Sequence, residues 1–98
     1  MIEIRKTDAF EVWFGGLRDE RARARIEVRI RRLSLGNPGD VRPVGSGVSE
    51  LRIDYGPGYR VYYAQKGDVL VILLCGGDKS TQRKDIAAAV QMKQELEA

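Results

Sequence analysis

Hydrophobic positions in the first half of the chain predict a strand followed by two amphipathic helices. Residues 2–6 alternate apolar and polar side chains, as in a strand with one buried face. A helix is expected to begin at Thr7 or Asp8, and its apolar stripe has helical spacing: Phe10, Trp13, Phe14 and Leu17. A second helix is expected from residue 19 to about residue 35, where Gly-Asn-Pro-Gly ends it; its inner positions are Ala22, Ile26, Ile30 and Leu33.

The second half of the chain has the alternation of strands joined by tight turns. Two strands flank the Gly56–Gly58 turn, and their apolar positions are Leu51, Ile53 and Tyr55, then Tyr59, Val61 and Tyr63. Residues 69–75 form an uninterrupted apolar run, which is typical of an interior strand. A final helix is expected from Ser80 or Thr81, with an inner side formed by Ile86, Ala89, Val90 and Leu96.

This order of elements, β-α-α-β-β-β-α, predicts an α+β fold. We expect an antiparallel sheet that carries the N-terminal helical hairpin on one face and is followed by a C-terminal helix. The length of 98 residues suits one compact domain, spanning residues 1–98.

The parity of the predicted hairpin places three polar side chains on a common face of the sheet. If the alternating apolar residues face the helical hairpin, Arg52, Arg60 and Tyr62 point to the opposite face. That face then holds two guanidinium groups and a phenol. An ordinary solvated face is the alternative interpretation, because antiparallel sheets often expose one side to water.

Composition excludes several classes of enzyme. The chain contains no histidine and a single cysteine, Cys75, so a zinc site and a Ser-His-Asp or Cys-His hydrolase are excluded. Catalysis must then use Arg, Lys, Tyr, Asp or Glu, and we expect no metal ion and no cofactor. No apolar run reaches the roughly 20 residues of a membrane helix, and the N-terminus lacks the apolar core of a signal peptide. With the lone cysteine, this predicts a cytoplasmic protein without a membrane partner.

Charge adds a weaker indication of the partner. The net charge is +3, and 12 of the 17 basic residues are arginine, whose planar fork can clamp a phosphate with two hydrogen bonds. Seven of these arginines fall between Arg18 and Arg32 on the second predicted helix. That helix is either a solvated surface balanced by its acidic residues or a surface that docks RNA or an acidic partner. High genomic GC content would produce the same arginine bias.

The segment from Gly76 to Thr81 superficially resembles a nucleotide-binding P-loop, because it joins a strand to a helix and contains a Lys-Ser pair. A P-loop requires glycine immediately before that pair, where this chain has Asp78, and a parallel βαβ context that is missing here. A helix N-terminus with exposed amides beside Lys79 remains suitable for a single phosphate.

Several longer segments resemble one family. They are DAFEVWF (8–14), ARI (24–26), GNPGD (36–40), ELRIDYGPGYRVYY (50–63), LCGGDKSTQ (74–82) and DI (85–86). Together they are similar to the "addiction module killer" branch of the RelE/ParE toxins, which includes HigB-like and phage-derived proteins. The resemblance covers nearly the whole chain, and it implies a RelE-like form of the α+β fold expected above.

The resemblance implies the toxin of a type II toxin–antitoxin system, a metal-independent endoribonuclease that cuts mRNA on the ribosome and is silenced by a cognate antitoxin protein. In RelE relatives, basic residues on the central strands, a basic residue after the last strand and a C-terminal tyrosine form the site. By position, the implied catalytic residues are Arg60, Arg52 and Lys79, with Asp85 roughly where the tyrosine is expected. We also expect four residues to bind RNA: Tyr62, Ser80, Gln82 and Arg83.

The chemistry of RNA cleavage assigns roles to these residues. The 2′-hydroxyl must be deprotonated, the phosphorane charge stabilised and the 5′-oxygen protonated. Arg60 and Arg52 suit the electrostatic role, which is usually the largest. Lys79 suits proton donation or abstraction, and Asp85 is the other candidate base. Tyr62 suits stacking on a base or proton donation.

Two other functions stay open on the sequence. A ParE-like inhibitor of DNA gyrase would use the same fold without a cationic cluster on the sheet face, so Arg52, Arg60 and Lys79 favour the ribonuclease. A non-enzymatic partner-binding module would instead use the arginine-rich helix. Translation and gyrase supercoiling assays on the purified protein distinguish the first two functions.

Overall fold

Residues 1–97 form five strands and three α-helices. A computed structural model describes residues 1–97. In chain order, the elements are β1 (Glu3–Lys6), α1 (Asp8–Gly15), α2 (Glu20–Ser34), β2 (Val41–Gly45), β3 (Val48–Ile53), β4 (Tyr59–Lys66), β5 (Leu70–Gly77) and α3 (Gln82–Glu97). A short 3-10 turn, Lys79–Thr81, immediately precedes α3. Among residues 1–97, no helix is long and apolar enough to cross a membrane.

The five strands form one mixed sheet in the order β1-β5-β4-β3-β2. The predicted α+β class is confirmed, but the sheet is not wholly antiparallel, because β1 pairs with β5 in parallel. No hairpin links these two strands, since all the other strands and both N-terminal helices lie between them in the chain. The edge strand β2 was not predicted: it contains Pro43 and ends at Gly45, residues that are typical of loops but are tolerated at a sheet edge.

The first hydrophobic core lies between the helical hairpin and the sheet. Thr7 caps α1 by accepting a hydrogen bond from the Phe10 amide at 3.0 Å, and Asp19 caps α2 by accepting from the amides of the first turn. The predicted inner stripe of α2 is confirmed, since all four of its members are buried. Three of them, Ile26, Ile30 and Leu33, form a cluster with the inward-facing positions of the strands, among them Leu51, Ile53, Val61, Tyr63, Val71 and Leu73.

A second core occupies the opposite face of the sheet, beneath α3. It consists of buried side chains from β3, β4, β5 and α3: Val48, Tyr62, Ala64, Leu74, Cys75 and Ala89. This face is therefore covered and not the solvated surface weighed above. Ile86 and Val90 pack against the cluster as predicted, whereas Leu96 is 55% exposed because it lies in the last turn of α3.

Gly76 and Gly77 at the end of β5 allow close packing on both faces of the sheet. A Cβ atom on Gly76 would lie 2.3 Å from the Trp13 ring on α1. A Cβ atom on Gly77 would lie 1.8 Å from Oδ2 of Asp85 on α3. Because side chains alternate along a strand, the two glycines admit a helix from each side at the same end of the sheet.

Replacing Gly76 by alanine is expected to lower the free energy of unfolding by about 2 kcal/mol, the usual scale of overpacking in a core. The Trp13 indole has little freedom to move, because its ring lies 5.8 Å from that of Phe10 and 6.3 Å from that of Tyr59. The matched control is Gly15→Ala on α1, where an added Cβ meets nothing within 4 Å. Urea unfolding measures both variants, and equal stabilities would contradict this account of the packing.

Candidate functional site

An open cleft lies beside the turn that joins β3 to β4. Its volume is about 380 Å³. Most of the residues that line it are charged residues or glycines: Asp40, Arg52, Ile53, Asp54, Gly56, Pro57, Gly58, Arg60 and Lys79. Three of the four side chains predicted to be catalytic, Arg52, Arg60 and Lys79, thus line one cleft. Asp85 is not among the lining residues.

Arg52 and Arg60 pair directly in the register of β3 and β4 and therefore share a face of the sheet, as the hairpin parity predicted. The Arg52 guanidinium is partly exposed, and its Nε lies 3.6 Å from Oδ2 of Asp40. The backbone around this pair is held from α2 by Arg29. That side chain donates hydrogen bonds to the carbonyl oxygens of Arg52, Pro38 and Asp40 at 2.5, 2.9 and 3.0 Å. Arg29 therefore fixes one wall of the cleft, a role that its place in an arginine-rich helix did not indicate.

Lys79 reaches the cleft from the 3-10 turn before α3. Its chain lies over Gly58: a Cβ atom at Gly58 would be 2.9 Å from Lys79 Cδ, and Gly58 has a φ of +79°. Glycine suits this position both for its backbone conformation and for the space that it leaves. Within residues 1–97, no carboxylate lies close enough to form a salt bridge with Lys79.

Arg60 is buried, with 6% of its surface exposed, although it lines the cleft. Its Nη1 donates to the carbonyl oxygens of Gly58 at 3.1 Å and Tyr59 at 3.2 Å. Its Nε lies 3.7 Å from Oε1 of Glu50 on β3. The expectation that Arg60 stands on an open sheet face was wrong, because α3 covers that face.

Glu50, a residue that sequence reasoning missed, is the centre of a buried polar network. It is 0% exposed, and its Oε2 accepts hydrogen bonds from the Tyr62 hydroxyl at 3.2 Å and from Gln82 Nε2 at 2.6 Å. The parity that grouped Arg52, Arg60 and Tyr62 also applies to Glu50, which pairs with Tyr62 in register. That signal was available in the sequence, but a glutamate on a presumed open face did not suggest a site.

Tyr62 and Gln82 do not face the cleft as RNA-binding residues would. Tyr62 is 0% exposed, so the predicted stacking of its ring on a base was wrong. Burial, and then the neighbouring Glu50 carboxylate, raises the pKa of the Tyr62 hydroxyl, which therefore stays protonated and donates to Glu50. The side-chain amide of Gln82 is likewise bound to Glu50. Both residues therefore hold Glu50 and do not line the cleft.

The helix terminus after β5 is occupied by a carboxylate. Asp78 Oδ1 accepts hydrogen bonds from the Ser80 amide at 2.8 Å and from the Ser80 hydroxyl at 2.5 Å. These bonds, led by that of the Ser80 hydroxyl, lower the pKa of the Asp78 carboxyl. The single-phosphate site predicted at these amides is therefore blocked, and Ser80 is bound to Asp78. Arg83 is exposed in the first turn of α3.

Asp85 lies against Gly77 and not in the cleft. Its Oδ2 accepts a hydrogen bond from the Thr81 hydroxyl at 2.5 Å, within the turn that leads into α3. The position of Asp85, one of the two candidate bases, therefore disfavours that role. Asp40 and Asp54 are the carboxylates that line the cleft. Within residues 1–97, no group of three or more Cys, Asp or Glu side chains is arranged to hold a metal ion.

Comparisons with known proteins identify matches to most of the chain. Residues 13–95 match the family described as "Phage derived protein Gp49-like (DUF891)". A protein of Haemophilus influenzae, described as an uncharacterized protein, is 55% identical over 95 residues; the match covers 97% of this chain and 96% of that protein. Both matches include the segments that form the cleft.

Replacing Arg60 by alanine is expected to lower the free energy of unfolding by about 3 kcal/mol, because it leaves the buried Glu50 carboxylate without its counter-charge. The matched control is Arg52→Ala, which removes the facing guanidinium from a partly exposed pair and should cost less than about 1 kcal/mol. Denaturant unfolding of both variants measures the difference. Equal losses of stability would contradict the assignment of Arg60 to a buried ion pair.

Proposed function

Since the chain belongs to the Gp49-like family of phage-derived proteins, a family associated with toxin–antitoxin modules, we propose that it is a toxin that cleaves mRNA on the ribosome. The observation that carries this proposal is the convergence of Arg52, Arg60 and Lys79 on one cleft. A cleft lined by three cations, open to solvent along one side, suits the backbone of a single RNA strand.

The cleft supplies the charge that the proposed reaction needs. Attack of a 2′-hydroxyl on the adjacent phosphorus forms a phosphorane, and breaking the bond to the 5′-oxygen leaves a 2′,3′-cyclic phosphate and a 5′-hydroxyl. Arg60 and Arg52 stabilise the developing charge on the non-bridging oxygens. Lys79, which is exposed and unpaired with any carboxylate of residues 1–97, donates a proton to the leaving 5′-oxygen.

The proton of the 2′-hydroxyl requires an acceptor that reaches the cleft. Asp40 and Asp54 line it, whereas Asp85 does not. Asp40 lies beside the Arg52 guanidinium, and Asp54 is exposed with no salt-bridge partner among residues 1–97. We therefore assign proton abstraction to Asp54, in place of the two candidates from the sequence, Lys79 and Asp85.

A protein partner that silences this cleft forms part of the proposal. The exposed side of α2 carries Arg25 and Arg32 around Val28, which is half-exposed, and these residues line a groove of about 390 Å³. Ile53 and Asp54 line both this groove and the cleft. An acidic, amphipathic segment of an antitoxin would complement the positive charge of this groove. A segment bound there would lie next to the cleft.

Lys79→Ala is expected to lower the rate of mRNA cleavage on programmed ribosomes by about 10²-fold, the scale on which a general acid contributes. Arg60→Lys should also lower it by about 10²-fold, because an ammonium cannot reproduce the guanidinium fork. The matched control is Lys6→Ala on β1, an exposed lysine at the far edge of the sheet, which should leave the rate unchanged. Single-turnover cleavage with folded protein measures all three.

Three outcomes of that experiment are informative. Full activity of Lys79→Ala would contradict its assignment as the proton donor. Equal losses in Lys79→Ala and Lys6→Ala would indicate general attraction of RNA and no specific site. Intact mRNA combined with inhibition of DNA supercoiling by the wild-type protein would replace the ribonuclease with a gyrase inhibitor.

We expect cleavage to proceed without direct coordination of a metal ion to the scissile phosphate, since residues 1–97 offer no cluster of ligands for one. Ribosomes themselves require Mg²⁺, so the test replaces a non-bridging oxygen of the scissile phosphate by sulfur and compares Mg²⁺ with Mn²⁺. The loss of rate caused by sulfur should be the same in both metals. Restoration of the rate by Mn²⁺ would show that a metal ion contacts the phosphate.

A further inference from the structure

We propose that Glu50 is a positioning residue for the cleft: its buried carboxylate, held by Gln82 and Tyr62, fixes the Arg60 guanidinium so that one end faces the cleft. The consequence for RNA cleavage rests on the proposed function, whereas the consequence for the orientation of Arg60 does not.

The contacts of Arg60 leave one nitrogen for a ligand. Nη1 is taken by the carbonyl oxygens of Gly58 and Tyr59, and Nε faces Glu50 Oε1. Nε and that carboxylate oxygen are the two polar side-chain atoms of residues 1–97 that are enclosed without a hydrogen bond. Nη2 is therefore the end of the fork that is neither bonded nor enclosed, and it is the end available to an oxygen in the cleft.

The Glu50–Arg60 pair contributes little to the stability of the fold, so its role is better explained by the cleft. A carboxylate that is 0% exposed loses its hydration, and a 3.7 Å separation without a hydrogen bond returns less than an ideal pair would. Apolar side chains of similar volume would fill the same space at least as stably. What they would not do is hold a cation at the cleft wall.

Gln82 and Tyr62 in turn fix the position of the Glu50 carboxylate. Both donate to Oε2, which leaves Oε1 directed at Arg60. Gln82 is the first residue of α3, so the docking of this helix on the sheet determines how Glu50 is held. The phenol remains a donor because burial keeps it protonated.

The first experiment measures the orientation of Arg60 without RNA. The Nε–H of Arg60 is observed by NMR, with Arg60→Lys identifying its signal, and its hydrogen exchange is compared in the wild type, Glu50→Gln, Gln82→Ala and the control Glu11→Gln. Glu11 is an exposed residue of α1. We expect exchange to be at least about tenfold faster in Glu50→Gln, intermediate in Gln82→Ala and unchanged in Glu11→Gln, tenfold corresponding to about 1.4 kcal/mol of lost protection. Unchanged exchange in both Glu50→Gln and Gln82→Ala overturns the proposal.

The second experiment asks whether Glu50 acts through Arg60. In single-turnover cleavage on ribosomes, Glu50→Gln should lower the rate by about 10²-fold with little change in the affinity for the ribosome, as misplacement of a catalytic group does. In the Arg60→Lys background, Glu50→Gln should lower the rate no further, since there is no fork left to position. Fully additive losses would show that Glu50 does not act through Arg60 and would overturn the proposal.

The two experiments separate the failure of this inference from the failure of the proposed function. If the wild-type protein does not cleave mRNA, the proposed function fails, while the exchange measurement still decides whether Glu50 positions Arg60. If Glu50→Gln does not fold, Gln82→Ala and Tyr62→Phe replace it, because each removes one hydrogen bond from Glu50 and leaves the ion pair in place.

Discussion

The buried Glu50–Arg60 ion pair is the constraint on which the arrangement of this cleft depends. A charge pair inside so small a domain is tolerated only if neighbouring groups surround it with hydrogen bonds. Here β4 contributes Tyr62 and the Tyr59 carbonyl, the turn before it contributes the Gly58 carbonyl, and α3 contributes Gln82. The same network that makes the pair tolerable therefore also joins β3, β4 and α3 beneath the cleft. Arg60 is therefore held by residues of the same elements that form the second core.

The other walls of the cleft depend on two glycines, Gly58 and Gly77, and on the long side chain of Arg29. Gly58 lets Lys79 lie across the β3–β4 turn, and Gly77 admits Asp85, which anchors the start of α3. From the other side, Arg29 ties the loop before β2 to the end of β3. Cations are thus brought to one place from three separate elements.

The sequence predicted the fold class, because the spacing of apolar residues in each strand and helix follows from which of its sides is buried. Alternation in the β3–β4 hairpin correctly placed Arg52 and Arg60 on the same face of the sheet, and the stripe of α2 correctly marked its inner side. What could not be predicted was which polar residues would be covered. Whether Arg60 and Tyr62 lie in water or beneath α3 depends on long-range docking, which leaves no periodic signal in either strand. The parallel pairing of β1 was missed for the same reason, whereas β2 was missed because Pro43 and Gly45 are typical of loops.

The claim that this cleft cleaves RNA is tested most directly by the ends that the protein leaves on its substrate. Purified protein is added to ribosomes programmed with a defined mRNA, and the chemistry of any new termini is determined. Attack by the 2′-hydroxyl produces a 2′,3′-cyclic phosphate on the upstream fragment and a 5′-hydroxyl on the downstream fragment, and we expect both. Intact mRNA, or fragments that end in a 3′-hydroxyl and a 5′-phosphate, would contradict it.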